Sequence, residues 1–201
     1  MASSLNGLTK ALTWNDYTNT KTLPAPNPSN PASLVEGAFT QAQFNATFSW
    51  AWDDKAKGYK LQDSVVVTIT FDDSASWTAN WLPTQPQAVQ DDLLKHEQGH
   101  YDIAALLGRD LYNALIKQEA QVYPEGPRSD QGAKVKAAAA KTIGDAKKYL
   151  QPTQKRYDAD TSNGQNPTGQ SAWNGYISNA FGQSSSTFLQ VLSNAGIQIT
   201  P

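Results

Sequence analysis

Apolar and polar residues alternate along two segments in the N-terminal third of the chain. Apolar side chains occupy every second position from Phe44 to Trp52, and the alternation returns from Val65 to Phe71. A period of two is typical of a strand that buries one face. The intervening segment Asp53 to Gly58 (DDKAKG) is predicted to be a turn. The two strands are therefore predicted to form an antiparallel hairpin.

Helical signals dominate the region after this sheet. One helix is predicted from Thr84 to about Gln118, with Thr84 and Gln87 forming a capping box at its start. A second helix, rich in alanine and lysine, is predicted from about Gln131 to Leu150 and is expected to end before Pro152. The pattern therefore places a sheet first and long helices after it.

Three further segments complete the predicted organisation. Repeated prolines from Thr22 to Ser33 (TLPAPNPSNPAS) indicate an extended surface connection. The segment Tyr157 to Gly169 is dense in Asp, Asn, Gly, Thr and Ser and is predicted to be an ordered loop. Short helices are expected around Trp173 and Phe188. With 201 residues, the chain is expected to form one domain, residues 1–201.

The predicted central helix contains the sequence HEQGH, which is an HExxH motif formed by His96, Glu97 and His100. Residues four apart on a helix lie about 40° from one another after a full turn, so both imidazoles point to one side. They can hold one zinc ion. Glu97 lies about 100° from His96, where it can act as general base on a water at the open position of the metal.

The surroundings of the motif on the helix favour a metal site. A buried polar group costs free energy unless it is paired, and a metal ion supplies that pairing. Gly99 costs about 1 kcal/mol relative to alanine inside a helix, which hints that another group packs closely there. The histidines interrupt an apolar stripe, within about 60° of His96 on a helical wheel, that comprises Val89, Leu93, Ile103, Leu107 and Leu111.

Composition restricts the remaining ligands. The chain has no cysteine and only two histidines, so a third zinc ligand must be a carboxylate or, less favourably, an amide. The best cluster is Tyr157 to Thr161 (YDADT), in which Asp158 is preferred over Asp160 and Tyr157 is a candidate to polarise a substrate carbonyl. Either aspartate alone could instead initiate a turn. Asp145, on the second helix, is the next choice.

Charge and hydropathy exclude other classes of function. Charged residues make up 17% of the chain and the net charge is −2, so no basic surface points to nucleic acid or to an anionic membrane. No apolar run is long enough to span a bilayer, and the N-terminus shows no signal-peptide pattern. A soluble protein is expected, with its localisation open.

The chain contains the motifs LTWNDY (Leu12 to Tyr17), SW (Ser76 and Trp77), LLKHEQGHYDIA (Leu93 to Ala104), YDADTSNG (Tyr157 to Gly164) and QSAW (Gln170 to Trp173). In these motifs it resembles a bacterial family of predicted zinc-dependent proteases, often secreted or periplasmic, that is classified as a domain of unknown function. Family members often carry histidine where this chain has Asn163. If that histidine is the family's third zinc ligand, Asn163 becomes an alternative to Asp158 as the ligand in this chain. If the family instead uses the aspartate at the position of Asp158, Asp158 remains the preferred ligand.

These observations together predict an α+β, zincin-like domain, in which an N-terminal antiparallel sheet packs on a long active-site helix followed by further C-terminal helices. The expected function is that of a zinc-dependent metallopeptidase acting on a peptide or protein substrate, with Zn²⁺ as cofactor. One alternative is a zinc-dependent hydrolase of another amide or ester. Another is a non-catalytic binding module in which zinc is structural and some of the six tryptophans hold a ligand, although Trp50 and Trp52 are expected in the core.

Overall fold

The central element of the structure, a computed structural model, is a long helix enclosed by a sheet and by further helices. Residues 2–25, 36–62, 64–123 and 128–201 are described. The strands are β1 (Ser4–Asn6), β2 (Asn19–Lys21), β3 (Ala38–Phe39), β4 (Ala42–Thr47), β5 (Trp50–Asp53), β6 (Gly58–Leu61), β7 (Val66–Phe71) and β8 (Trp77–Ala79). The helices are α1 (Gln87–Glu119), α2 (Arg128–Thr161), α3 (Pro167–Gly182) and α4 (Phe188–Asn194). The fold is therefore mixed α+β, as the sequence predicts.

The strands form small sheets in the described part of the chain. The first has the order β1-β7-β4, with β1 parallel and β4 antiparallel to the central strand β7. The second has the order β2-β8-β3, and β5 pairs with β6 as a separate hairpin. Of the proline-rich segment, residues 22–25 form no regular element, and its remainder lies outside the described residues.

The hairpin predicted from Phe44 to Phe71 is correct in direction and wrong in continuity. Phe44 pairs with Ile69 in an antiparallel ladder, and the turn Asp53–Gly58 closes the hairpin of β5 and β6. The strand is interrupted between β4 and β5, however. There the backbone N–H and the hydroxyl of Ser49 form hydrogen bonds with the side chain of Ser64. Beyond this break the alternation no longer marks a buried face, and Trp50 is 37% exposed.

Helix α1 begins three residues later than the predicted start at Thr84. Thr84 belongs to a short 3-10 helix, Leu82–Thr84, and its hydroxyl donates to the carbonyl of Trp81 instead of capping α1. Pro86 occupies the N-cap position. The apolar stripe predicted on this helix is buried at Ile103, Leu107 and Leu111, whereas Val89 in the first turn is exposed.

Helix α2 continues through Pro152, where the sequence predicted a stop. An internal proline removes one helical hydrogen bond and costs about 3 kcal/mol or more. Burial of the turns that follow offsets this cost, because the side chains of Thr153, Tyr157 and Thr161 are completely buried. The segment predicted as a loop from Tyr157 to Gly169 is therefore, up to Thr161, the last part of α2.

The two short C-terminal helices are as predicted. Asn166 caps the N-terminus of α3 through its side chain, and Thr187 forms a capping box with Gln190 at the start of α4. Trp173 and Phe188 are both buried. These helices pack against each other and against α1, and their buried residues belong to the same core as those of β4 and β7. In the described residues, no helix combines the length and apolar character that crossing a lipid bilayer requires.

Candidate metal centre

His96 and His100 lie on one side of α1, one helical turn apart, as the motif requires. Their Nε2 atoms are 3.2 Å from each other. Both imidazoles are nearly inaccessible to solvent, with residue exposures of 2% for His96 and 9% for His100. Two buried imidazoles whose Nε2 atoms converge form the beginning of a metal site.

Asp158, in the last turns of α2, completes the convergence. Its Oδ1 atom lies 3.2 Å from Nε2 of His96 and 2.9 Å from Nε2 of His100. One donor atom from each of the three residues falls within 4.8 Å of the other two. Tetrahedral zinc with bonds of about 2.0 to 2.1 Å holds its ligand atoms about 3.3 Å apart. The spacing and the chemistry of these donors fit such an ion.

The other candidates for a third ligand lie elsewhere. Asp160 accepts hydrogen bonds from Nε of Arg156 and from Nε1 of Trp173, so both its oxygens are used away from the histidines. Asn163 is exposed in the turn after α2. Asp145 pairs with two lysines on the exposed side of α2. The structure thus brings Asp158 to the histidines and leaves these three away from them.

Glu97 is buried beside the two histidines with an unsatisfied oxygen. The residue is 1% exposed, and its Oε2 atom has no hydrogen-bond partner among the described residues. A buried carboxylate oxygen without a partner costs free energy. A water molecule held at the site would satisfy it. The arrangement therefore suits a group that receives a proton from such a water.

The charges of the site shift the pKa values of its residues in opposite directions. Burial raises the pKa of Asp158, but hydrogen bonds from His100 and His96 outweigh burial and hold that pKa well below its ordinary value. Burial lowers the pKa of His100, while the hydrogen bond to Asp158 and the charges of Glu97 and Asp158 raise it to about 9. Near neutral pH the protonated His100 therefore balances the charge of Asp158, and a metal cation that binds the donors would replace that proton.

Tyr157 lies behind the histidines, not on the side where their Nε2 atoms converge. Its ring stacks on His96 with a centroid distance of 4.7 Å, and its hydroxyl donates to the His96 carbonyl over 3.0 Å. The side chain is completely buried, and burial raises its pKa. The predicted role in polarising a substrate carbonyl stays a prediction that this placement does not favour.

The contact between Tyr157 and α1 explains the unusual glycine of the motif. A Cβ atom at Gly99 would overlap the Tyr157 hydroxyl. Gly164 also packs closely, because a Cβ atom there would lie 2.9 Å from Cβ of His96, and its φ of +82° favours glycine. The sequence predicts close packing at Gly99, but it does not indicate that Tyr157 is the residue packed there.

Two glutamines that the sequence analysis missed contact the Nδ1 atoms of the histidines. Oε1 of Gln154, on α2, lies against Nδ1 of His100. Oε1 of Gln170, on α3, lies 3.2 Å from Nδ1 of His96. Nothing in a single sequence distinguishes these glutamines from the others, because their role depends on which helices pack together.

Two cavities adjoin the site. One, of about 390 Å³, reaches His100 and Asp158 and is bordered by the strand segment around Phe39 and by Lys147 and other residues of α2. The second, of about 410 Å³, is lined by Leu93 of α1, by Trp81 before that helix and by Gly164 in the turn after α2. The first cavity therefore borders two of the donors directly, whereas the second is connected to the site through Gly164, which packs on His96.

Comparison with known proteins identifies the family of the chain. No curated protein and no solved structure matches it. Residues 20–165, which include the three converging donors and Glu97, match the family described as "Bacterial protein of unknown function (DUF922)". This match covers more than half of the chain, and the protein therefore belongs to that bacterial family.

Proposed function

We propose that the protein is a zinc-dependent metallopeptidase whose metal ligands are His96, His100 and Asp158. The observation that carries the proposal is the buried, unpartnered Oε2 of Glu97 next to these donors. Two imidazoles and one carboxylate match the ligand class of catalytic zinc, which keeps its fourth position for water or substrate. A structural zinc would need a fourth protein ligand, and the described residues add no His, Cys, Asp or Glu to this group.

The roles of the residues follow from where they lie. Zinc held by the three donors would supply polarisation of the scissile carbonyl and lower the pKa of a water. Glu97 accepts a proton from the attacking water as the carbon–oxygen bond forms. It then gives that proton to the leaving nitrogen as the carbon–nitrogen bond breaks. Burial of Glu97 keeps competing water away from this transfer.

A peptide is the substrate that the surroundings favour over a small amide or ester. One cavity reaches His100 and Asp158 and another is bordered by Gly164, which packs on His96, so side chains on both sides of a cleaved bond can be accommodated. Strand β3 pairs with β8 on one side, and among the described strands none pairs with its other side. Such an edge can bind an extended peptide by main-chain hydrogen bonds.

The variant Glu97→Gln tests this function. We expect it to keep the fold and the zinc content, because the two side chains have nearly the same shape. Its kcat on denatured casein should fall at least about 100-fold, because an amide cannot accept the proton. Glu119→Gln is the matched control, since Glu119 lies at the far end of the same helix and accepts a bond from Ser3.

Two outcomes would overturn the proposal. One is zinc-loaded protein that cleaves no peptide in a library of denatured proteins. The other is a Glu97→Gln variant that cleaves at the rate of the unmodified chain. Elemental analysis of both proteins, and of the double variant His96→Ala, His100→Ala, separates the metal site from the activity, because about one zinc per chain is expected only while the histidines are intact.

A further inference from the structure

We propose that Gln154 and Gln170 are positioning residues that keep a proton on Nδ1 of His100 and His96 and thereby reserve both Nε2 atoms for the metal. The inference rests on the proposed zinc site. It is based on the contact that the Nδ1 atom of each histidine makes with the side-chain oxygen of a glutamine. The glutamines come from different helices, α2 and α3, so the site is held from two directions.

The orientation of the Gln154 amide is fixed by His100 itself. Nε2 of Gln154 donates to the backbone carbonyl of His100 over 2.9 Å. A carbonyl oxygen only accepts, so the NH₂ end of the amide must face it. The oxygen end then faces Nδ1 of His100. Because this oxygen also only accepts, Nδ1 must carry the proton.

The orientation of the Gln170 amide is fixed through Tyr157. The Tyr157 hydroxyl donates its single proton to the carbonyl of His96, so toward Gln170 it can only accept. Nε2 of Gln170 donates to it over 2.7 Å, and Oε1 is therefore the atom 3.2 Å from Nδ1 of His96. The same assignment places a proton on Nδ1 of His96.

A second contact at His96 agrees with this assignment. The Thr161 hydroxyl lies 3.4 Å from Nδ1 of His96 and donates its proton to the carbonyl of Tyr157 over 2.7 Å. Toward the imidazole it can therefore only accept. With Nδ1 protonated in this way, Nε2, which lies 3.2 Å from Oδ1 of Asp158, is the ring nitrogen that gives up its proton when a metal ion binds.

The choice of an amide has an electrostatic consequence. Metal-binding histidines commonly donate to a carboxylate or a backbone carbonyl. At this site Glu97 and Asp158 already place carboxylates close together, and a further buried carboxylate would add to their repulsion. A neutral amide fixes the imidazole without adding charge. The net charge of a loaded site is then set by the ion, Asp158 and Glu97 alone.

Replacement by methionine tests the inference, because methionine has similar length and lacks the acceptor. We expect Gln154→Met and Gln170→Met each to raise the dissociation constant for Zn²⁺ about 10- to 100-fold, measured by competition with a chelator. Gln118→Met is the matched control, since Gln118 is a half-buried amide that also joins α1 to α2, through Thr142. Its variant should bind Zn²⁺ like the unmodified chain.

Two further measurements separate positioning from helix packing. Gln170→Glu should recover the affinity lost in Gln170→Met, because a carboxylate accepts from Nδ1, the Tyr157 hydroxyl can turn its proton toward it, and bound Zn²⁺ offsets the added charge. The ¹⁵N resonances of the histidine side chains in the Zn²⁺-loaded protein should show both Nδ1 atoms protonated. Protonated Nε2 in either ring, or equal losses in Gln118→Met, would overturn the inference.

These experiments need no substrate, so their failure differs from that of the proposed function. A chain that binds no Zn²⁺ would remove the metal site and both proposals with it. A chain that binds Zn²⁺ equally well with and without the two glutamines would remove this inference alone. If the glutamine variants lose affinity as expected but the protein cleaves no peptide, the role of the glutamines is supported and the proposed peptidase function is wrong.

Discussion

The two long helices meet at the candidate metal centre, yet they lie in different environments. From His96 to Arg109, every residue of α1 is buried except Gln98 and Asp102, which are partly exposed. In the described part of helix α2, most residues are exposed or partly exposed, and none is buried between Ala139 and Thr153. A substitution of one kind should therefore have opposite consequences on the two helices.

The helices also contribute to the site in different ways. Helix α1 supplies His96, Glu97 and His100, whose relation is set by helical spacing alone. Helix α2 supplies Asp158 through its packing on α1, with Tyr157 in the contact between them. Local geometry thus builds one half of the site and tertiary packing builds the other.

The largest expected effect is at a glycine of α1, compared with a glycine of α2. Gly99→Ala should lower the free energy of unfolding by about 3 kcal/mol, because the added methyl group would overlap the buried Tyr157 hydroxyl. Displacing Tyr157 should also weaken Zn²⁺ binding, since that side chain supports His96. Urea denaturation and chelator competition measure the two effects.

Gly144→Ala is the matched control on α2. A Cβ atom at Gly144 would meet nothing within 4 Å, and alanine favours a helix interior over glycine by up to about 1 kcal/mol. We therefore expect a small gain in stability and unchanged Zn²⁺ affinity. If Gly99→Ala and Gly144→Ala lost equal stability, the burial of α1 would not explain the effect of alanine at Gly99.

The next effect distinguishes two aspartates near the end of α2. Asp158→Asn should weaken Zn²⁺ binding at least about 100-fold, equivalent to about 2.7 kcal/mol, because an amide is a far weaker ligand than a carboxylate. Asp160→Asn should keep the affinity, since Asp160 bonds to Arg156 and Trp173 instead. If Asp160→Asn weakened Zn²⁺ binding and Asp158→Asn did not, the third ligand would be Asp160.

The sequence predicts the α1 half of the site well because a helix converts spacing directly into geometry. Residues four apart share a face whatever surrounds the helix, so the convergence of His96 and His100 needed no knowledge of the fold. The close packing indicated by Gly99 was likewise visible, because glycine inside a long helix is otherwise unfavourable.

The α2 half could be predicted only in part. Asp158 was a candidate because a third ligand was required, but its segment was expected to be a loop. Local propensity placed the end of the helix before Pro152, whereas burial of Tyr157 and Thr161 carries α2 onward. Tertiary packing overrode the propensity, and a single sequence contains no measure of that packing. Gln154 and Gln170 were missed for the same reason.

The smallest expected effect compares one partly buried carboxylate of α1 with an exposed one of α2. Burial raises the pKa of Asp102 to about 6, and the hydrogen bond from Gln98 offsets only part of that rise. The folded state thus holds this proton more tightly than the unfolded state does. The contribution of Asp102 to stability is then greatest below about pH 4, the unfolded pKa, and is lost as the pH rises through 6.

Asp102→Asn removes this titration while keeping an oxygen that accepts from Gln98. At pH 7 we expect the variant to be more stable by about 1 to 2 kcal/mol, below the roughly 3 kcal/mol of a two-unit shift because the side chain is partly exposed. At pH 3 the gain should disappear, because the aspartate is then protonated in both states. Urea denaturation of variant and unmodified chain at the two pH values measures the difference.

Asp145→Asn should behave in the opposite way. Hydrogen bonds from Lys141 and Lys148 lower the pKa of Asp145 to about 2 on the exposed side of α2. The carboxylate therefore stabilises the folded chain above about pH 4, and this contribution is lost as the pH falls toward 2. Its removal should slightly destabilise the protein at pH 7, because exposed pairs contribute little. If both asparagine variants shifted stability in the same direction at pH 7, the contrast between an enclosed α1 and an exposed α2 would not extend to their charges.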